Sequence, residues 1–232
     1  MKPIAIQANN LTKRYPADSG WFSKAAQTQP SVESVSLTVN RGEIFGLVGS
    51  NGAGKTTLAK MLCTLIAPSS GSATVAGIPL DLEHGSEIRN RVGLVVADER
   101  SFYWRLTGRQ NLLFFAALYG VFGNAAQSRT DELLQAVGLQ HAAEQRFDRY
   151  SSGMKQRLAI ARGLLHQPEI LFLDEPGRSL DQVSKNQIHE LLLDLNQNKA
   201  TTIFLITHDQ PEAEKLCTQI KKMKAGKLVD LD

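Results

Sequence analysis

Hydrophobic positions along this chain come in two patterns. Short, nearly continuous apolar runs occur at Ile44–Val48, Val92–Val96, Ile170–Leu173 and Thr202–Ile206. Runs of that length fit strands covered on both faces. Ile4-Ala5-Ile6 and Val32 to Val39 alternate instead, as strands with one solvated face do, and an irregular stretch from Pro16 to Pro30 joins them. Elsewhere apolar residues return every third or fourth position. Leu58-Ala59-Lys60-Met61-Leu62, Arg109 to Tyr119 and Asp131 to Val137 read as helices, with Gly138 as a stop. Met154, Leu158, Ala161 and Leu165 mark one face of a helix that ends before Pro168, and Gln182 to Asn196 forms another. The most apolar segment, Leu112 to Phe122, falls short of the about 18 residues a membrane span needs and reads as a packed helix. Alternating β and α with fully apolar strands predicts an α/β fold on a parallel sheet, with ligands beyond the C-terminal strand ends. Gly49, Asp174 and His208 each follow such a strand end.

The first of these sites carries the clearest chemistry. Gly49-Ser50-Asn51-Gly52-Ala53-Gly54-Lys55-Thr56-Thr57 matches G-x-x-x-x-G-K-[ST] between a buried strand and a helix, the context that separates a phosphate cradle from a chance Gly-rich turn. Glycines let successive N–H groups turn inward around an oxyanion, and the helix N-terminus adds partial positive charge. Lys55 is expected to reach β- and γ-phosphates and the Thr56 hydroxyl to ligate Mg²⁺. After the strand Ile170–Leu173 come Asp174 and Glu175. An apolar strand ending in an acid resembles the Walker B element, with Asp174 facing the metal and Glu175 serving as general base or water-orienting group. Read alone, the pair is equally an N-cap followed by a solvated glutamate.

Composition narrows the setting. The chain has 232 residues, 21% of them charged, and a net charge of +3, too small to imply nucleic acid by itself. Cys63 and Cys217 are far apart and lack metal-type spacing, which predicts reduced thiols in a cytosolic protein. No secretory leader pattern opens the chain and no span crosses a bilayer, so a membrane process would need another chain to supply its membrane part.

With its remaining segments, the chain resembles the nucleotide-binding subunit of ABC transporters over nearly its full length. Tyr150-Ser151-Ser152-Gly153-Met154 stands where that family has its LSGGQ signature, 96 residues from Lys55 to Ser151 and 23 from Ser151 to Asp174. It departs from the consensus at Tyr150, Ser152 and Met154 but keeps Ser151 and Gly153, which suit the capping of a γ-phosphate held by the opposite subunit. Ser179-Leu180-Asp181 resembles the family's D-loop, Thr207-His208-Asp209 its H-switch with His208 at the γ-phosphate, and Tyr15 the aromatic that stacks on adenine. The family places a Gln after the strand that opens its helical subdomain; here stands Ala97, which offers no donor or acceptor. Either Asp98 or Glu99 takes over, or the contact is absent and hydrolysis is slower. The resemblance implies a P-loop NTPase (RecA-like) core with a parallel sheet, an N-terminal antiparallel β subdomain and an inserted helical subdomain of about residues 98–165, all within one domain over 1–232. It also implies ATP and Mg²⁺ as ligands and a homodimer or heterodimer of nucleotide-binding subunits.

Partners follow from the same likeness. Phe102-Tyr103-Trp104 are consecutive aromatics between charges, in the region where the family docks its membrane partner, and aromatics are favoured at interface centres. Leu106-Thr107-Gly108-Arg109-Gln110-Asn111-Leu112 and Tyr150 to Arg157 look most like ABC-2-type exporters of drugs, lipids or polysaccharides. The expected protein is thus cytoplasmic, peripheral on the inner face of the cell membrane through a separate permease, with no nucleic acid. An importer ATPase is the second reading, since both directions use the same nucleotide chemistry. A soluble ABC ATPase of ribosomes or DNA repair is the third; it fits worse, because only one phosphate loop occurs and 96 residues leave no room for a long coiled coil.

Overall fold

The computed structural model describes residues 3–15, 30–96 and 101–231. The Ala97 position, its neighbours Asp98 and Glu99, and residues 16–29 of the stretch between the first two strands lie outside the described residues. The chain forms two units, Met1–Arg89 with Phe204–Asp232, and Asn90–Ile203.

The first unit contains the alternating strands. β1 (Ile4–Lys13) and β2 (Val32–Asn40) pair antiparallel, with Ile6 opposite Val39. β4 (Ser70–Val75) pairs on the other edge of β1 and β5 (Ile78–Pro79) beyond it, giving the order β2-β1-β4-β5. This is the expected antiparallel β subdomain. Its alternation buries Ile6, Ala8, Val35, Leu37, Val39, Ala73 and Val75 on one face. β3 (Ile44–Val48) is buried throughout and runs parallel to β9 (Gln219–Lys224), to which β10 (Lys227–Val229) adds antiparallel. β8 (Thr202–Thr207) lies on the other side of β3, where Phe204 meets Phe45 with ring centroids 4.9 Å apart. Three helices belong here: α1 (Lys55–Leu62), α2 (Gly85–Arg91) and α7 (Gln210–Leu216). Cys63 and Cys217 are free thiols. Burial raises both, the Cys217 thiol to about 12.

The second unit is built on the parallel pair β6 (Val92–Val96) and β7 (Ile170–Asp174), in register from Val92–Ile170 to Val96–Asp174. Gly93 is required there: a Cβ would stand 2.3 Å from the Gly163 carbonyl oxygen. Its helices are α3 (Gly108–Leu118), α4 (Gly123–Ala136), α5 (Ser152–Gly163) and α6 (Gln182–Lys199). Thr107 and Gln110 form a capping box at the start of α3. Gly138, at φ 66°, follows the end of α4 as expected.

Two expectations need correction. α4 begins at Gly123, not near Asp131. The early turns carry few apolar residues and are held by tertiary contact, with Arg129 donating to the Leu164 and Leu165 carbonyls at 2.5 and 3.3 Å. The segment Leu112 to Phe122 is not one packed helix either. α3 ends at Leu118, and although Leu112 and Ala116 are buried, Phe114, Leu118, Tyr119 and Phe122 are exposed. Among the described residues no helix is long and apolar enough to cross a membrane.

Candidate functional site

In the first unit the loop from Gly49 to Gly54 leaves β3 at Val48 and turns directly into α1. It has little freedom. A Cβ at Gly49 would lie 2.3 Å from the Met223 carbonyl oxygen, and one at Gly54, whose φ is 107°, would lie 2.1 Å from that of Ser31. The Gly226 N–H donates to the Ala53 carbonyl at 2.9 Å, and Ala53 itself is buried. Because Gly54 caps α1 without a side chain, no capping group competes for the first helical N–H groups. Lys55 is only 5% exposed, and its ammonium donates to the Gly49 and Ser50 carbonyls at 2.7 and 3.0 Å. A buried cation is thereby fixed beside the backbone of the loop. Ser50, Asn51, Gly52 and Thr56 are exposed and Thr57 is half-buried.

Two further predicted residues sit in this unit on other segments. Tyr15, just beyond β1, is exposed, with Lys13 Nζ 5.3 Å from its ring centroid. His208 follows the fully buried β8 and is exposed. Its two neighbours are tied down. Thr207 Oγ1 donates to Glu212 Oε2 at 2.6 Å and accepts from the Asp209 N–H at 3.0 Å, while Asp209 Oδ1 accepts from the Glu212 N–H at 3.1 Å. Sequence reasoning did not single out Glu212, which is buried and fixes this turn. The signal for it was an N-cap acid followed three residues later by Glu.

In the second unit, Asp174 ends β7 half-buried and Glu175 stands immediately beyond at φ 52°. That is left-handed backbone, unfavourable for a residue with a Cβ, of the kind that persists where surrounding structure over-determines it. Asp181 caps α6, accepting from the Ser184 N–H at 2.8 Å and from Ser184 Oγ at 3.0 Å. Those bonds hold its carboxyl below the usual carboxylate range. Ser151 caps α5, its hydroxyl accepting from the Met154 N–H at 3.2 Å. Ser151 and Ser152 are exposed, whereas Gly153 is buried where a Cβ would meet Ser184 Oγ at 2.5 Å. The starts of α5 and α6 are therefore packed on each other, and Asp181 is joined to Gly153 through Ser184.

The three consecutive aromatics separate. Phe102 is core, stacked on Phe147 at 4.7 Å with the Arg162 guanidinium 4.5 Å from its ring. Tyr103 and Trp104 are 49% and 51% exposed. Their loop is rigidly held by Asn111, fully buried, which accepts from the Tyr103 N–H at 2.9 Å and donates to the carbonyls of Tyr103 and Thr107 at 3.1 and 3.0 Å.

The loop of the first unit fits a polyphosphate: a backbone closed to a Cβ at Gly49 and Gly54, a helix start without a side-chain cap, a buried ammonium, and the Thr56 hydroxyl. In the second unit, Asp174 is a hard oxygen donor of the kind a divalent cation takes. The comparisons agree with that chemistry. A profile of the family described as "ABC transporter" matches residues 32–178. A fluoroquinolones export ATP-binding protein of Mycobacterium tuberculosis is 41% identical over 98% of this chain and 70% of its own length. A methionine import ATP-binding protein of Bacillus thuringiensis is 35% identical over 97% of this chain and 64% of its own length. Among solved structures, the ATP-binding cassette MJ0796, a dimer in a post-hydrolysis state with ADP and Pi, superposes with a TM-score of 0.82 at 26% identity, covering 97% of both chains.

Proposed function

The chain belongs to the ABC transporter family as an ATP-binding subunit that hydrolyses ATP, and from that footing we propose that it energises a separate membrane permease that exports lipid, polysaccharide or drug-like cargo. Two copies, or this chain and a relative, would enclose ATP with Ser151 and Gly153 of one subunit against nucleotide held by the other. Magnesium, when bound, neutralises charge on the β- and γ-phosphates. Lys55 and the N–H groups of the Gly49–Gly54 loop hold the phosphates and stabilise the leaving oxygens, Thr56 and Asp174 offer oxygen ligands to the metal, and Tyr15 stacks on the base. Glu175 accepts the proton of the attacking water, His208 contacts the γ-phosphate, and Asp181 crosses to the opposite subunit.

The observation that supports a separate partner is the pair Tyr103 and Trp104, half-exposed on a loop that buried Asn111 holds in place. Aromatics presented rigidly to solvent lose little entropy on docking. Likeness to a fluoroquinolone exporter favours export, and the methionine-import relative keeps import as the second reading. The protein would then sit in the cytoplasm, peripheral on the inner face of the cell membrane. The test is a pull-down of tagged protein from detergent-solubilised host membranes. A polytopic chain in roughly equal amount, lost on Trp104→Ala, is expected. Recovery of ribosomes or DNA-repair factors without a membrane chain would overturn the transport reading and leave the ATPase chemistry intact.

A further inference from the structure

The turn that carries Glu175 holds a second charged side chain that the hydrolytic chemistry leaves unassigned. Pro176 and Gly177 are buried, and both ends of the turn stand in left-handed backbone, Glu175 at φ 52° and Ser179 at 61°. The Arg178 N–H donates to the Glu175 carbonyl at 3.1 Å, and the Leu180 N–H to that of Gly177 at 3.3 Å. Closing a turn between its first and fourth residues brings their side chains near each other. Here Arg178 Nη1 lies 3.8 Å from Glu175 Oε2. The glutamate side chain is 12% exposed and the arginine 60%, so the guanidinium reaches the carboxylate from the solvent side. Arg178 also lines an open groove with Lys155, Gln156, Phe102 and Phe147.

A carboxylate that orients water must turn a lone pair towards that water. An oxygen that faces a guanidinium across an ion pair is attracted towards the cation and away from a competing water. We propose that Arg178 is a positioning residue that restrains Glu175, drawing its carboxylate towards the guanidinium and slowing hydrolysis in the free subunit. This rests on the reading of Glu175 as the group that orients the attacking water. The turn, with Pro176 and Gly177 buried and left-handed backbone at Glu175 and Ser179, keeps the two side chains within reach of each other.

The test is the Mg-ATPase of the purified full chain at saturating ATP, at about 0.05 M and about 1 M salt. Over that range the screening length falls to about 3 Å. Arg178→Met should raise kcat about two- to five-fold at low salt, the range of an exposed ion pair, with KM changed less than about two-fold. The gain should shrink towards one at high salt, where screening has already loosened the pair in the parent. Arg178→Lys, which keeps the charge, should fall back towards the parent rate. In a Glu175→Gln background, Arg178→Met should leave the residual rate unchanged. If the Met variant loses thermal stability, Arg178→Gln replaces it. A rate equal to or below the parent's at low salt, or the same rise in the Glu175→Gln background, would overturn the restraint. Full activity in Glu175→Gln alone would instead remove the role of Glu175, and the restraint with it. Loss of activity in Glu175→Gln, with Arg178→Met leaving the rate of the otherwise unaltered chain unchanged, would sink the restraint alone.

Discussion

Tyr150 offers a way to separate what the signature segment does for the fold from what it does for nucleotide. The family consensus has Leu there, yet this tyrosine is 5% exposed and its hydroxyl donates to the Ala142 carbonyl at 2.7 Å. A Cβ on Gly108 would stand 2.1 Å from the same oxygen, so the start of α3 packs directly against it. Tyr150→Phe keeps the ring and its contact with Phe147 but removes one of two donors to the Ala142 carbonyl, which also accepts from the Gln145 N–H at 2.9 Å. Losing that hydrogen bond costs about 1 kcal/mol. For a chain of this size it lowers Tm by roughly 2–4 °C. ATP affinity should stay within about two-fold, because Ser151 and Gly153 are untouched. Alkaline pH supplies a second readout. Burial raises the Tyr150 hydroxyl to about 12 from an ordinary value of 10.0. The folded state therefore favours its neutral form. That contribution is fully present below pH 10 and is lost as pH rises towards 12. The stability difference between parent and Tyr150→Phe should narrow across that window. Thermal unfolding by circular dichroism, with ATP titration alongside, measures both. A Tm change under about 1 °C, or a difference that does not narrow above pH 10, would refute the anchoring role.

Other perturbations address the nucleotide site. Gly54→Ala must displace the Ser31 carbonyl and place a Cβ at φ 107°, strain of about 2 kcal/mol, so ATP Kd should rise about 30-fold. Gly52→Ala, with nothing within 4 Å of the new Cβ, should lose less; equal losses by isothermal titration would mean the Ser31 contact is irrelevant. Glu175→Gln should trap an ATP-bound dimer visible by size exclusion, and normal hydrolysis by that variant would remove its role as base. Ala97→Gln, which supplies a donor and acceptor where alanine has none, should raise turnover with ATP affinity nearly unchanged. Unaltered or lower turnover would count against a lost catalytic contact there.

The strands were legible in the sequence because burial on both faces leaves no room for polar residues. Ile44–Val48 appears in the fold as read, and β7 and β8 each extend their runs by one residue, to Asp174 and Thr207. The first turns of α4 were not, because Ala126 and Thr130 are the only buried positions before Leu133 and the helix there depends on Arg129 reaching carbonyls at the end of α5. Such a tertiary bond leaves no periodic trace. The aromatics show the same limit. Phe102, Tyr103 and Trp104 are equivalent as a string, and only the ring of Phe147 decides that the first is core. Left-handed backbone at Glu175 and Ser179 was also hidden, since neither position is glycine.

The signature's departures from consensus now divide by what each residue faces. Tyr150 points into the fold and holds Ala142 and the start of α3, so replacing Leu there changes packing rather than phosphate chemistry. Met154 contributes its N–H to the Ser151 cap, a bond any residue but proline can make. Ser152 is exposed and adds a hydroxyl where the consensus has glycine. The two retained residues occupy the demanding positions. Ser151 presents its hydroxyl at a helix start, and Gly153 is the one site where a Cβ would strike Ser184 and disturb the cap on Asp181. A signature can thus vary at three of five places and still keep the packing of this helix start, provided the glycine beside Ser184 is preserved.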